Sequence, residues 1–588
     1  MLATTTANLV RVVAEMPTTA ERLVDDLEAI GVEYLFGFPG GRVIELLEHV
    51  PDSELTLVRP RDEREASVMA EAYGRIAGDP GVLTGQGPWI GSIGAMGQME
   101  GYLGSSPMVV LTEASERGEY STLAPYQQAR GDYGGIDLPT ALSAYTKEHW
   151  FPRSPTETIR TLQLAVKHAT AGRPGPTAVI LDGDAVTAEV PGDPIPPVWD
   201  AEEQVQNWTS RPEATDVEAA AAALSAAERP VIVAGNGVHA ADAYEELQTV
   251  AEAAGAVVTT SYLGKSTIPE THDLAAGVIG SFGHEGANQV VSEADVLLVV
   301  GSRLNPMDTN WQAPEFVRPD EQTILHADVD SRNAGWVYPA DVGLIGDAAS
   351  TLADLADALA ERSADQPTAD SSSWARERAA AARESFSVPE CDSDATPIAP
   401  QRAIAEIDGV VDEETIVLAD SGNNRFWLLN YLQAPATGTY YGSGGVGGMG
   451  WSAPAAIAAG LATDRDVIAV AGDGGFGMSL TAVETAVQYE VPVLFVVLND
   501  TSLGMVRQMQ GDGEIAGVEF GDTDFVAAAE AFGATGRRVV DPESLGDALA
   551  EGKAAEEPCV LDVGIDREAD MAASLRSSFY ESVGGLHE

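Results

Sequence analysis

Asp473 and Asp500 each close an apolar run, DVIAVAG and VPVLFVVLN, and 26 residues lie between them. Both runs are apolar enough to be central parallel strands covered on both faces, and SLTAVETAVQYE between them has helical spacing. A strand, a helix and a strand in that order make a right-handed crossover. Both aspartates then arrive at the carboxyl edge of one sheet, where open α/β sheets bind ligands. Two carboxylates held a few ångströms apart repel, so a cation or proton must compensate them. Oxygen ligands favour Mg²⁺ or Ca²⁺ over zinc. Gly474 and Gly475 follow Asp473 and bare the N–H groups of a helix start, which is an anion site. A hard cation beside an anion site predicts a Mg²⁺-bridged diphosphate, although GDG alone is also ordinary turn chemistry.

Elements able to hold such a site recur along the chain. VEYLFGFPGG, GVLTGQG and PMVVLTE read as strand ends in the first block, with TTAERLVDDLEAIG and REASVMAEAYGRIAG as helices. PVIVAGNG, AVVTTS, ADVLLVVGSR and TILHADVD follow in the middle, and ETIVLADSG, DVIAVAGDGG, VPVLFVVLND and PCVLDVGID at the end. This alternation predicts an α/β protein of three domains, each a doubly wound parallel sheet wrapped by helices. Segments rich in proline, acid and serine, 191–216 and 364–373 with 387–400, read as linkers. The domains are accordingly placed at residues 1–190, 215–362 and 395–570, with the first and last expected to be alike in structure despite no sequence repeat.

Charge limits the partners. Of 588 residues 91 are acidic and 33 basic, giving −58, and only Lys147, Lys167, Lys265 and Lys553 are lysines. Nucleic acid is excluded as a partner on that balance. The acids are spread through sequence that is 45% hydrophobic, so disorder does not explain them. Concentrated salt would screen such a surface, and a halophilic source is expected. Cys391 and Cys559 have no CxxC spacing, which argues against a disulfide framework or a cysteine zinc site and for the cytoplasm. No run reaches the roughly 18 apolar residues of a membrane span, and MLATTTANLVRVVAEM lacks a basic start followed by a sustained apolar core. A soluble protein without membrane contact is expected.

The GDG at 472–474 with Asn499 and Asp500 downstream resembles the motif of thiamine diphosphate enzymes. The resemblance implies Mg²⁺ bound by Asp473, Asp500 and the Ser502 carbonyl, with Asp500 standing where the family prefers asparagine. RDEREASVMAEAYGR is similar to the family's HExxAxxMAxxYxR, with Glu63, Ala66, Met69, Ala70, Tyr73 and Arg75 in register and Asp62 in place of the histidine. It implies that Glu63 hydrogen-bonds the cofactor's pyrimidine nitrogen and drives proton removal from the thiazolium carbon. GSGGVGGMGWSAPAAIAAG resembles GGLGxMGxxxPAAIGA of acetolactate synthases. From it follow a Gly447 carbonyl accepting from the cofactor's amino group, Met449 packed between its rings and Met478 closing over it. DSGNNRFW occupies the diphosphate-contacting segment, with Asn423 and Asn424 as contacts beside Gly474 and Gly475.

FGFPGG is close to the FGYPGG of acetolactate synthase large subunits and adds Pro39 and Gly40 to the cofactor side. PMVVLTE, PYQQ, TKEHW and SLGMVRQ follow in that subgroup's order, placing Gln127 and Lys147 at substrate-side or flavin-side positions. Met509 stands where acetolactate synthases carry the tryptophan that selects the larger acceptor, and Trp89 stands in the usual GPGxxN turn. An acceptor pocket of altered shape is expected. The implied protein has pyrimidine-binding, central Rossmann-like and diphosphate-binding domains. It would decarboxylate a 2-oxo acid such as pyruvate and join the product to a second 2-oxo acid. Active sites would lie between the subunits of a homodimer or homotetramer, and a small regulatory subunit is left open. FAD is left open too: GNGVHA fits GxGxxA, and GSR and HADVD resemble the flavin-bearing middle domain, but NPMDTN departs from its continuation. Pyruvate oxidase and 2-oxo-acid decarboxylase are the alternatives of the same fold. The first-domain histidines His49, His149 and His168 do not form the adjacent pair that decarboxylases often carry. A cofactor-binding paralogue without turnover is the non-enzymatic alternative.

Overall fold

Tyr34–Phe38, Thr56–Val58, Gly81–Gly85, Met108–Ala114, Glu148–Trp150 and Pro176–Asp182 are the strands of the first sheet in a computed structural model. The structure describes residues 16–114, 127, 129–131, 135–365, 371–510 and 516–569. The start of the chain through residue 15 and Pro125, Tyr126 and Gln128 of PYQQ lie outside the described residues. Across the first sheet the strands stand in the order second, first, third, fourth, sixth, fifth. The last sheet, Thr415–Ala419, Tyr440–Gly442, Asp466–Gly472, Val493–Asn499, Thr535–Val539 and Cys559–Gly564, repeats that order. The middle one, Pro230–Ala234, Val257–Thr260, Ala275–Val278, Val296–Val300, Thr323–Asp328 and Val342–Ile345, runs third, second, first, fourth, fifth, sixth from one edge. Every pair is parallel. Three doubly wound α/β units are therefore present, and the first and last share one topology.

These outer units are not separate bodies. Helix Glu63–Ala77 starts at Asp62, whose Oδ1 accepts from the Glu65 amide at 2.9 Å, and stops at Gly78 in the left-handed region. It lies against helix Ser452–Ala462, and Ala66, Met69 and Ala70 join Trp451, Ala455, Ala456 and Ala459 in one buried apolar cluster. Small side chains along both helices allow the close approach. The crossing packs the first domain against the last domain of the same chain.

One linker expectation is overturned. The serines at 371–373 open helix Ser371–Arg383, and Ala375, Ala379 and Ala382 are buried in the middle core. Alanines at that spacing make a narrow apolar stripe that a Ser- and Ala-rich composition hides. The middle unit thus extends past 362. Among the described residues no helix is long and apolar enough to cross a membrane.

Candidate functional site

Strands Asp466–Gly472 and Val493–Asn499 are direct neighbours, with Gly472 opposite Leu498. The next residue of the first is Asp473, and Asp500 follows the second, so parallel pairing brings the two carboxylates together. Both are held above the ordinary aspartate range. Burial is the main cause for each, and at Asp473 the charge of Asp500 adds to it, lifting the carboxyl to about 7. This is the mark of two buried acids held close together, with the Arg507 charge acting against the rise at Asp500. Asp500 Oδ1 accepts from the Ser502 amide at 3.0 Å, and Thr501 between them adopts a left-handed backbone. That turn uses Leu503 N and Thr501 O for its contacts with 518–520, so the Ser502 carbonyl is not consumed in the ladder. The buried Ser502 hydroxyl also hydrogen-bonds the Asp500 carboxylate. Two carboxylates and a turn carbonyl suit a hard, oxygen-seeking cation such as Mg²⁺.

Helix Asp473–Met478 begins at the same edge, and helix Asn423–Tyr431 begins at the end of the adjacent strand Thr415–Ala419. Asn423 donates from Nδ2 to Gln508 Oε1 at 3.2 Å, and its buried Oδ1 has no partner among the described residues. Asn424 instead turns inward, donating to the Asp420 carbonyl at 2.9 Å, so its amide braces the sheet edge. A side chain at Gly474 would strike Leu503, Phe520 and the Met449 methyl, which places Met449 over the GDG turn. A Cβ at Gly475 would lie 2.0 Å from Asp420 Oδ2. Asp420 is fully buried and accepts from Gly450 N and Trp451 N, each at 2.9 Å, which ties the 447–450 loop to the same edge. Met478 is half exposed, its Cβ against Gly450, and Met509, on helix Gly504–Gln510, is also half exposed.

Glu63 is the first residue of helix Glu63–Ala77 and is only 8% exposed. Burial raises its carboxyl above the ordinary value, its own amide lowers it, and Asp62 raises it again. Asp62 therefore has a capping role where the family pattern has histidine. The next residue, Arg64, donates to the Met478 carbonyl, and Arg61 pairs with Glu484. Pro39 and Gly40 follow the first sheet's strand Tyr34–Phe38, and the Gln86 side chain beside Gly40 donates to Gln127 Oε1 at 3.1 Å. Gln127 thus joins Pro39 and Gly40, while Trp89 stands half exposed one turn beyond Gln86.

Lys147 is not brought to this edge. Its Nζ donates to the carbonyls of His168 and Ala171 at 2.6 and 2.9 Å, capping helix Pro155–Thr170 at the amino end of the sheet, and burial pulls its ammonium down to about 8. In the middle unit, the glycines of GNGVHA serve close packing: a Cβ at Gly237 would lie 2.6 Å from Gly301 Cα, and Asn236 donates to the Gly104 carbonyl at 2.8 Å. Motif reading passed over Glu100, Asp420, Arg425 and Gln508, which touch the site's loops and carry no local signature.

Paired acids at the carboxyl edge of a parallel sheet, with a buried glutamate on a second α/β domain of the same topology, suit an enzyme that holds a charged ligand at that edge. Residues 17–134, 217–355 and 420–563 match the profiles described as thiamine pyrophosphate enzyme, N-terminal TPP binding domain, central domain and C-terminal TPP binding domain. A probable acetolactate synthase large subunit of Methanocaldococcus jannaschii is 33% identical over 93% of this chain and 92% of its own length. The acetolactate synthase isozyme 3 large subunit of Escherichia coli is 32% identical over 91% and 92%. One from Methanococcus aeolicus, also a probable large subunit, is 31% identical over 93% and 92%. The chain belongs to the thiamine diphosphate enzymes of the acetolactate synthase and pyruvate oxidase family.

Proposed function

We propose that this chain is a Mg²⁺- and thiamine diphosphate-dependent carboligase that decarboxylates a 2-oxo acid such as pyruvate and transfers the remaining acyl unit to a second 2-oxo acid. The observation that carries the reading is the meeting of Asp473 and Asp500 at one sheet edge, where strands Asp466–Gly472 and Val493–Asn499 pair in parallel register. Bound cofactor would supply the nucleophilic carbon and the electron sink. The chain's own residues do the rest. Asp473, Asp500 and the Ser502 carbonyl would hold the cation, and the helix starts at Asn423 and Gly474 would bind the diphosphate. Met449 and Gly447 would contact the cofactor's rings, and Glu63, desolvated at its helix start, would hydrogen-bond the pyrimidine nitrogen. Pro39, Gly40 and Gln127 line the first-domain side, with Met509 and Trp89 on the acceptor side.

Residues of the first and last domains of two copies would complete each site, so a homodimer or homotetramer is part of the proposal. FAD is not part of the proposal. Incubation of the protein in concentrated KCl with thiamine diphosphate, Mg²⁺ and a panel of 2-oxo acids, with products read by mass spectrometry, tests the proposal. Acetolactate-type products support it. Free aldehyde would assign a decarboxylase, acetate an oxidase, and no product a paralogue without turnover.

A further inference from the structure

The loop at 442–447 is held by three charged side chains from outside it. Glu100, on helix Ala95–Gly104 of the first domain, is 1% exposed and accepts four successive loop amides. Oε1 takes Gly444 N at 2.8 Å and Gly445 N at 2.7 Å, and Oε2 takes Val446 N at 2.9 Å and Gly447 N at 3.2 Å. Arg75 donates to the Gly442 carbonyl at 2.9 Å and to Glu100 Oε1 at 3.1 Å, and Arg425 donates to the Ser443 carbonyl. The carbonyls of 442 and 443 and the amides of 444–447 are therefore all engaged by side chains. Successive N–H groups converging on one point form an anion-binding nest, and here the anion is a carboxylate of the same chain.

Helix Ala95–Gly104 reaches the loop because Gly97 lies flush on helix Glu63–Ala77; a Cβ there would be 2.0 Å from the Ser67 carbonyl oxygen. Burial pushes the Glu100 carboxyl up, but Arg75 and the loop amides outweigh it and hold the group below its ordinary value, ionised. We infer that Glu100 is a positioning residue that sets the backbone of the loop carrying Gly447 and Met449. Its effect therefore falls on the pyrimidine half of the cofactor site and not on the cation and diphosphate half. This inference rests on the cofactor reading above for its consequence, and on the four amide contacts for the clamp itself.

Hydrogen exchange in cofactor-free protein reads the clamp. Glu100→Gln keeps the shape but removes the charge and turns an N–H donor toward the amides; exchange across 444–447 should speed up about tenfold or more. Glu100→Ala should do the same, with protection restored by formate and not by formamide. Calorimetric titration then reads the consequence: E100Q should weaken Mg²⁺-dependent thiamine diphosphate binding about tenfold and leave Mg²⁺-dependent binding of inorganic pyrophosphate within about twofold. Unchanged exchange in E100Q, formate-insensitive exchange in E100A, or equal weakening of pyrophosphate would overturn the inference. Should E100Q not fold, E100A folding in formate but not in formamide supports it, and folding in neither overturns it. A parent protein that binds no thiamine diphosphate would sink the cofactor reading, while the exchange measurements still decide the clamp.

Discussion

Glu65 offers a stability test whose sign the structure fixes. Its side chain is fully buried at the junction of the first and last domains, accepting the Thr481 hydroxyl at 2.6 Å and the Arg61 amide at 3.4 Å. Burial lifts its carboxyl from 4.5 to about 7, with the Thr481 bond opposing and Asp62 adding. The folded protein therefore retains a proton that the unfolded chain releases above pH 4.5. Below that pH both states are protonated and the group is neutral in its effect. Between pH 4.5 and 7 unfolding releases a proton, so stability falls by about 3 kcal/mol over that range and is level above it. Glu65→Gln keeps the acceptor for Thr481 and cannot ionise. Chemical unfolding monitored from pH 4.5 to 8 should show no advantage for E65Q at the acid end and a gain of about 2–3 kcal/mol at the alkaline end. A pH-independent difference, or a parent more stable than E65Q at pH 8, would refute the reasoning.

Two further outcomes follow from charge. Lys265 is fully buried, with Nζ on Glu270 Oε2 at 2.5 Å and on the Leu432 carbonyl at 2.8 Å, joining the middle domain to the end of helix Asn423–Tyr431. Lys265→Met should cost about 3–5 kcal/mol in unfolding titrations by stranding Glu270, and adding Glu270→Gln should recover part of it. The net charge of −58 predicts a melting temperature that climbs from dilute buffer to about 2 M KCl, where screening acts within a few ångströms. A flat salt dependence would remove the halophilic expectation.

The meeting of Asp473 and Asp500 was legible because its signal is local. An apolar run ending in Asp473 or Asp500 states the strand and the edge together, and the crossover rule pairs them. Glu63 was legible through the register of its helix. Glu100 and Asp420 were not, because each is a lone acid whose partners lie in sequence-distant loops. Only the tight contacts at Gly97 and Gly475 bring those loops within reach. Lys147 was misplaced for the opposite reason: its position in a motif suggested a ligand contact, while its ammonium caps a helix end that the motif does not describe. Helix Ser371–Arg383 was hidden by composition, since three buried alanines are a weak apolar signal beside three serines.

The central claim is that Asp473 and Asp500 hold the cofactor through Mg²⁺ while Glu63 handles the proton. Steady-state turnover of pyruvate, measured together with Mg²⁺-dependent thiamine diphosphate binding for the parent and Glu63→Gln, tests both halves at once. The account predicts that E63Q loses turnover by about a hundredfold or more while binding the cofactor nearly as tightly as the parent. Turnover by E63Q at the parent's rate would contradict it.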